Sequence, residues 1–288
     1  MSDADTLVHH LRGKAAGSTR YLRSGQGDPV ILIHGVGMAS SIWAPQLAAL
    51  STDFDVIAYD MLGHGGSSLP PENARLSDYS DQLLSLIEVL GLQRPQIVGH
   101  SMGALVALEF ALTHPTRPAG VTALNAVYCR TAEQRNAVLG RAEALERAGE
   151  LGSHEGTIAR WFGNPVPTEL TREADLVHSL LTSVDPLGYS RTYRLFAQSD
   201  EVHKGRLEGL AVPALFMTGE FDPNSSPAMS QAMAEAAPQG RCEIIPRVRH
   251  MMALTDPDEV NIRLKTFVAS VSRGQGHNVV SRPSGVQP

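Results

Sequence analysis

The sequence predicts an α/β fold: a mostly parallel sheet with helices on both faces, interrupted by an all-helical insertion. Three observations predict it. Short apolar, β-branched runs recur through the first 125 residues, each separated from the next by a single helical pattern. Strands of that kind are buried on both faces. From about residue 128 to 208 no strand pattern occurs, only helical segments broken at Gly149, at Asn164-Pro-Val-Pro167 and at Asp185-Pro-Leu-Gly188. The alternation then resumes at Pro213.

Taken in order, residues 5–11 and 17–23 read as a hairpin around Gly13–Gly17. Val30–Ile33 is the first core strand, followed by a glycine-rich turn, a helix over 41–50 and a strand at Asp55–Tyr59. Residues 78–90 carry Leu83, Leu84, Ile87 and Leu90 at helical spacing, and Gly91 supplies the stop. A strand at Pro95–Gly99, an apolar helix over Met102–Thr113 and a strand at Val121–Leu124 follow. In the insertion, 132–148 is charged and amphipathic, with Glu143 and Arg147 at the favourable i,i+4 spacing. The second part of the core holds a strand at Pro213–Met217, a helix near 227–236, a strand at 241–246 and a helix near 257–271. Residues 1–127 and 209–272 thus form the two parts of a core, and 128–208 a helical cap that reads as a lid. Residues 273–288, made of Gly, Ser, Pro and polar side chains without period, are expected to be a disordered tail.

Composition narrows the function. With 288 residues, 24 Lys+Arg and 30 Asp+Glu, the net charge is −6, which argues against nucleic acid or an anionic membrane as partner. No window reaches the roughly 18 apolar residues of a membrane span. Met1–Asp5 is polar and acidic, unlike a secretory or transit peptide. The 2 cysteines, Cys129 and Cys242, provide neither a disulfide framework nor metal-site spacing. The expectation is a cytoplasmic protein, monomer or homodimer, whose partners are a small-molecule substrate and water.

The informative pentapeptide is Gly99-His-Ser-Met-Gly103. A strand-like run, Gln96–Val98, leads directly into it, and a helix, Ala104–Leu112, leaves it. A serine on so sharp a turn is strained, and the flanking glycines remove side chains that would strike neighbouring backbone. The hydroxyl of Ser101 is thereby raised beside the positive end of a helix.

A serine hydroxyl needs a base, and the base an orienting carboxylate. Of 11 histidines, His250 follows the last core strand and so reaches the same sheet edge as Ser101. His34, His64 and His100 lie near that edge but belong to local glycine motifs, which suits backbone support or pocket lining. The other seven read as surface, lid or helix-end residues. For the carboxylate, Asp222 in Thr218-Gly-Glu-Phe-Asp-Pro follows a strand end, and Glu220 in the same loop competes. Asp60, in Asp60-Met-Leu-Gly-His-Gly-Gly-Ser67, precedes the serine and reads as a structural turn. The turn His34-Gly-Val-Gly37 frees backbone amides to face a developing oxyanion, with Val36 and Met102 the expected donors.

Together, these motifs and their order Ser101, Asp222, His250 resemble the α/β-hydrolase superfamily over residues 20 to 271. The resemblance implies an eight-stranded, mostly parallel sheet with a helical cap, no metal and no organic cofactor. It also implies acyl transfer to Ser101 followed by attack of water. Within the superfamily the chain is most similar to the 3-oxoadipate enol-lactonase and carboxylesterase-like branch. The reading is a serine hydrolase of a small ester or lactone. A C–C bond hydrolase of meta-cleavage-product type is an alternative, and a ligand receptor or cofactor-independent oxygenase or lyase is one of another class. Cap residues Arg130, Arg160, Arg191 and Arg194, interleaved with Trp161, Tyr189 and Tyr193, make a carboxylate-bearing substrate a candidate, since guanidinium grips carboxylate bidentately. His34, His100 and Met251 complete the candidate substrate-contacting set.

Overall fold

A computed structural model describes residues 7–13, 17–148 and 153–276. The apolar runs become the strands β1 (Leu7–Gly13), β2 (Gly17–Ser24), β3 (Pro29–Ile33), β4 (Asp55–Tyr59), β5 (Gln96–His100), β6 (Gly120–Leu124), β7 (Ala214–Gly219) and β8 (Gly240–Ile245). They form one sheet in the order β1-β2-β4-β3-β5-β6-β7-β8. β2 pairs antiparallel with β1 and β4, and every other pair is parallel. All residues of β4, β5, β6 and β7 are buried, as unalternated apolar strands require.

Helices α1 (Ala44–Leu50), α2 (Leu76–Val89) and α3 (Met102–Thr113) connect the first strands. Between β6 and β7 the chain makes α4 (Ala132–Ala148), α5 (Glu155–Phe162), α6 (Thr171–Ser183) and α7 (Pro186–Gln198). The helices α8 (Pro227–Ala236), α9 (Met252–Thr255) and α10 (Pro257–Gly276) complete the chain. α10 corrects the expected tail: helix persists through 273–276, because buried Val268 and Val271 hold its last turns against the core. The rest of the expected tail, 277–288, lies outside the described residues. No helix among the described residues is long and apolar enough to cross a membrane.

Topology places the site. The chain steps from β3 to β4 in one direction, then crosses back over β3 to β5 and continues the other way. The carboxyl ends of β3 and β5 therefore flank the point where strand order reverses, the place where such sheets form a crevice. The turn 34–37 and Ser101 occupy those two ends. The inserted helices are fastened above them. A Cβ on Gly188 of α7 would lie 2.2 Å from the Gly63 carbonyl oxygen, so two backbones meet there with no room for a side chain.

Candidate active site

Ser101 sits between β5 and α3 with φ 54° and ψ −113°, a conformation rare for a residue with a Cβ. Its amide donates to the Leu124 carbonyl at 2.8 Å, tying the turn to β6. The steric expectation for the glycines holds. A Cβ on Gly99 would come within 2.1 Å of the Gly103 carbonyl oxygen, and one on Gly103 within 2.3 Å of that of Ile33. Met102 opens α3, where the first N–H groups have no intrahelical acceptor. Val36, across the crevice, lines the same cavity as Ser101.

His250 lies in the loop between β8 and α9 and is buried. Its Nδ1 donates to Asp222 Oδ2 at 2.8 Å; a carboxylate only accepts, so the proton is on Nδ1 and Nε2 is the nitrogen left for a hydroxyl. Asp222 is held from several sides. Asn125 Nδ2 donates to Oδ2 at 2.8 Å, and the amides of Asn224 and Ser225 donate to Oδ1 at 2.8 and 3.2 Å. Burial pushes its pKa up, but the His250 ring and these donors outweigh burial and hold it below the usual carboxylate range. Glu220 does not compete. It is exposed, and its Oε2 accepts from the Arg247 amide at 2.8 Å.

Ser101 and His250 open into a cavity of about 210 Å³ roofed by the inserted helices. Of the remaining expected residues, His100, Arg130, Trp161 and Tyr193 line it. His100 Nε2 donates to the His250 carbonyl at 2.9 Å, and burial beside His250 brings its pKa down to about 3. Arg130 is spent on the wall. Its Nη1 lies 3.6 Å from Asp200 and 3.3 Å from the Ala197 carbonyl, and its guanidinium covers the Phe196 ring.

Four expected contacts are corrected. His34 is buried outside the cavity, with Nδ1 donating to the Gly35 carbonyl and Nε2 accepting from the Met61 amide. Met251 is buried behind His250, where its carbonyl accepts from Leu254 and Thr255 at the start of α9. Arg191 and Arg194 face a separate cleft, because α7 turns Tyr189, Tyr193 and Phe196 to the cavity and the arginines to its other side. Arg191 donates to the Pro70 carbonyl, and Arg194 pairs with Glu146 at 2.9 Å and donates to the Glu72 carbonyl. Among the other histidines, His203 is not at the surface but buried, 3.3 Å from Glu109.

Two cavity arginines take the place of those on α7. Arg160 on α5 donates from Nη2 to Thr157 Oγ1 at 2.9 Å and leaves Nε buried without a partner. Arg141 on α4, which the sequence reading missed, donates from Nε to the Tyr193 hydroxyl at 3.1 Å. Neither has a carboxylate partner among the described residues. Burial and the neighbouring Arg141 charge both disfavour the Arg160 cation. The signal for Arg141 was its place on one face of α4 with Gln134, Ala137 and Val138, all of which line the cavity. Among the described residues, no group of three or more His, Cys, Asp or Glu is placed to hold a metal ion.

Comparison with known proteins follows the same lines. Residues 30–263 match the alpha/beta hydrolase family. The chain is 38% identical over 251 residues to the (E)-2-((N-methylformamido)methylene)succinate hydrolase of Acinetobacter baylyi, covering 87% of this chain and 94% of that one. It is 27% identical to 3-oxoadipate enol-lactonase 1 of the same organism, over 84% of this chain and 89% of the relative. The structure of a thermophilic, malate-bound esterase from Thermogutta terrifontis superposes with a TM-score of 0.80 at 26% identity, over 92% of this chain and 99% of that one.

Proposed function

The chain belongs to the alpha/beta hydrolase family, and from that premise we propose a serine hydrolase acting on a small carboxylate-bearing acyl compound. One observation carries the reading: Ser101 and the Asp222-bound His250 share a cavity with two guanidiniums that have no carboxylate partner among the described residues. In this mechanism the Ser101 hydroxyl attacks the acyl carbon while His250 Nε2 takes its proton. Asp222 keeps the ring in the required tautomer and stabilises the imidazolium. The amides of Val36 and Met102 receive the oxyanion. His250 then protonates the leaving group, and a water deprotonated by the same nitrogen releases the acid from Ser101.

Arg141 and Arg160 supply the carboxylate site. Both guanidiniums are half-buried, and the Arg160 Nε is buried without a partner, so a substrate carboxylate would supply the charge-assisted hydrogen bonds they lack. The sequence reading favoured an ester or lactone, and the enol-lactonase and the malate-bound esterase support it. The 38% identical succinate hydrolase supports a second reading, an amide carried on a methylenesuccinate. In both readings the substrate bears a carboxylate.

The test uses p-nitrophenyl acetate and p-nitrophenyl hemisuccinate, which share a leaving group. Wild type is expected to prefer the hemisuccinate in kcat/KM, and Ser101→Ala to lose about four orders of magnitude on both while staying folded. Wild-type-like turnover by Ser101→Ala would sink the mechanism. Preference for the acetate would remove the carboxylate.

A further inference from the structure

Trp161 has no task in the mechanism above, yet it touches the central residue of it. It stands in the last turn of α5, half-buried, with its ring centroid 5.3 Å from that of His250 and the planes 32° apart. On another side of the imidazole is His100, at 5.0 Å and 53°. The Cβ–Cγ bond and the bond from Nδ1 to Asp222 anchor one side of the His250 ring, and the aim of Nε2 is left to the rings packed against it. A flat neighbour fixes that aim. His100 comes from β5 in the core, whereas Trp161 comes from the inserted helices. The residue before Trp161 is Arg160, which lines the same cavity, so whatever seats Arg160 also seats the indole.

We propose that Trp161 is the positioning residue of the general base: its indole clamps the His250 imidazole with Nε2 toward Ser101, and a carboxylate docked on Arg160 tightens the clamp. This rests on the proposed roles of His250 and Arg160. The negative face of the indole also favours the imidazolium that forms as Ser101 loses its proton. The other charged and titratable groups around His250 are Asp222 on its Nδ1, His100 from β5, Arg141 and Arg160 in the cavity, and Arg249 beside it in the loop, whose Nε approaches Gly163.

The chain contains 2 tryptophans, and the other, Trp43, is completely buried away from the cavity. Trp43→Phe therefore leaves Trp161 as the sole indole; should that variant not fold, the difference between wild-type and Trp161→Phe spectra isolates the same signal. An imidazolium quenches a neighbouring indole, so Trp161 emission is expected to fall on acidification, and His250→Gln to abolish that change. Succinate at fixed pH is expected to change the emission, and Arg160→Gln to remove the response. In turnover, Trp161→Leu is expected to lower kcat roughly tenfold to hundredfold with KM little changed, as for a misplaced catalytic group. Trp161→Phe, which keeps a ring face, loses less. An emission change on acidification that survives His250→Gln, or Trp161→Leu with the wild-type kcat, overturns the inference. If Ser101→Ala retains turnover, the mechanism fails instead, so the two failures are separable.

Discussion

Two Asp–His clusters stand at the carboxyl edge of the sheet, one on each side of Ser101, and they are built of nearly the same parts. In one, His34 and His64 meet with ring centroids 5.1 Å apart, near Asp60; in the other, His100 and His250 meet at 5.0 Å, near Asp222. The difference lies in where the hydrogen bonds go. Asp60 spends its oxygens on the Ser40 and Gly66 amides and on Arg20. His34 and His64 each donate from Nδ1 to a nearby carbonyl and accept at Nε2 from the amides of Met61 and Gly37. Every ring nitrogen is used, so that cluster can only hold loops together. Asp222 instead accepts from His250 Nδ1, and among the described residues no hydrogen bond occupies the second nitrogen, which faces the cavity shared with Ser101. Saturation of the ring nitrogens, more than residue type, separates scaffold from site.

Exchanging each aspartate for asparagine breaks the comparison in opposite ways, and these are the largest effects expected. Asp222→Asn is predicted to lower kcat about 10⁴-fold with the fold kept, because the amide favours the wrong His250 tautomer. Asp60→Asn is predicted to cost about 3 kcal/mol of stability, since it turns an N–H toward buried donors and leaves Arg20 unpaired, while the folded fraction turns over within a few-fold of wild type. Glu220→Gln should stay within about twofold in activity. Steady-state kinetics beside urea unfolding reads all three. A dead but stable Asp60→Asn would mean that the catalytic carboxylate has been misassigned.

The arginines extend the comparison from the core to the inserted helices. Arg141 and Arg160 have no anionic partner among the described residues, whereas Arg194 is paired with Glu146. Arg141→Gln and Arg160→Gln are each expected to lower kcat/KM for the hemisuccinate about tenfold to hundredfold, the worth of one charged hydrogen bond, and to leave the acetate within a few-fold. Arg194→Gln is expected to move neither substrate by more than about twofold. Equal losses on both esters would place these side chains in packing and not in recognition.

That last pair shows where the sequence stops being legible. The core strands were readable because apolar runs buried on both faces leave no choice of register, and the serine turn because its glycines answer a steric demand visible in the letters. Asp222 was separable from Glu220 only in space, where His250 Nδ1 donates to the first and the Arg247 amide to the second. On α7, Tyr189 and Tyr193 share a face, but Arg191 and Arg194 are near it in sequence and turned away from it in space. α4 hid Arg141 for a related reason: Val138 and Ala142 are its buried residues, too few to mark an inward face. Four-residue α9 is too short to announce itself by period. What could be read was fixed by local sterics and burial; what could not depends on which helix face a neighbour covers.

The smallest prediction returns to the saturated cluster and asks whether it is neutral, as its hydrogen bonds require. Burial lowers the pKa of His34, and burial together with His34 brings that of His64 down to about 3. The unfolded chain protonates these rings near the ordinary value of about 6.5, before the folded chain can. Stability is therefore complete above about pH 6.5 and is lost as pH falls toward the folded value. His64→Gln offers an amide that can serve both the Gly37 amide and the Leu62 carbonyl but cannot titrate. Urea unfolding at pH 6.5 and pH 5 is expected to show a stability slope shallower than wild type by at most about 1.4 kcal/mol per pH unit, one proton's worth. An unchanged slope would mean that His64 carries its proton in the folded state. Its Nε2 would then have no lone pair for the Gly37 amide, and the turn that presents Val36 would need another support.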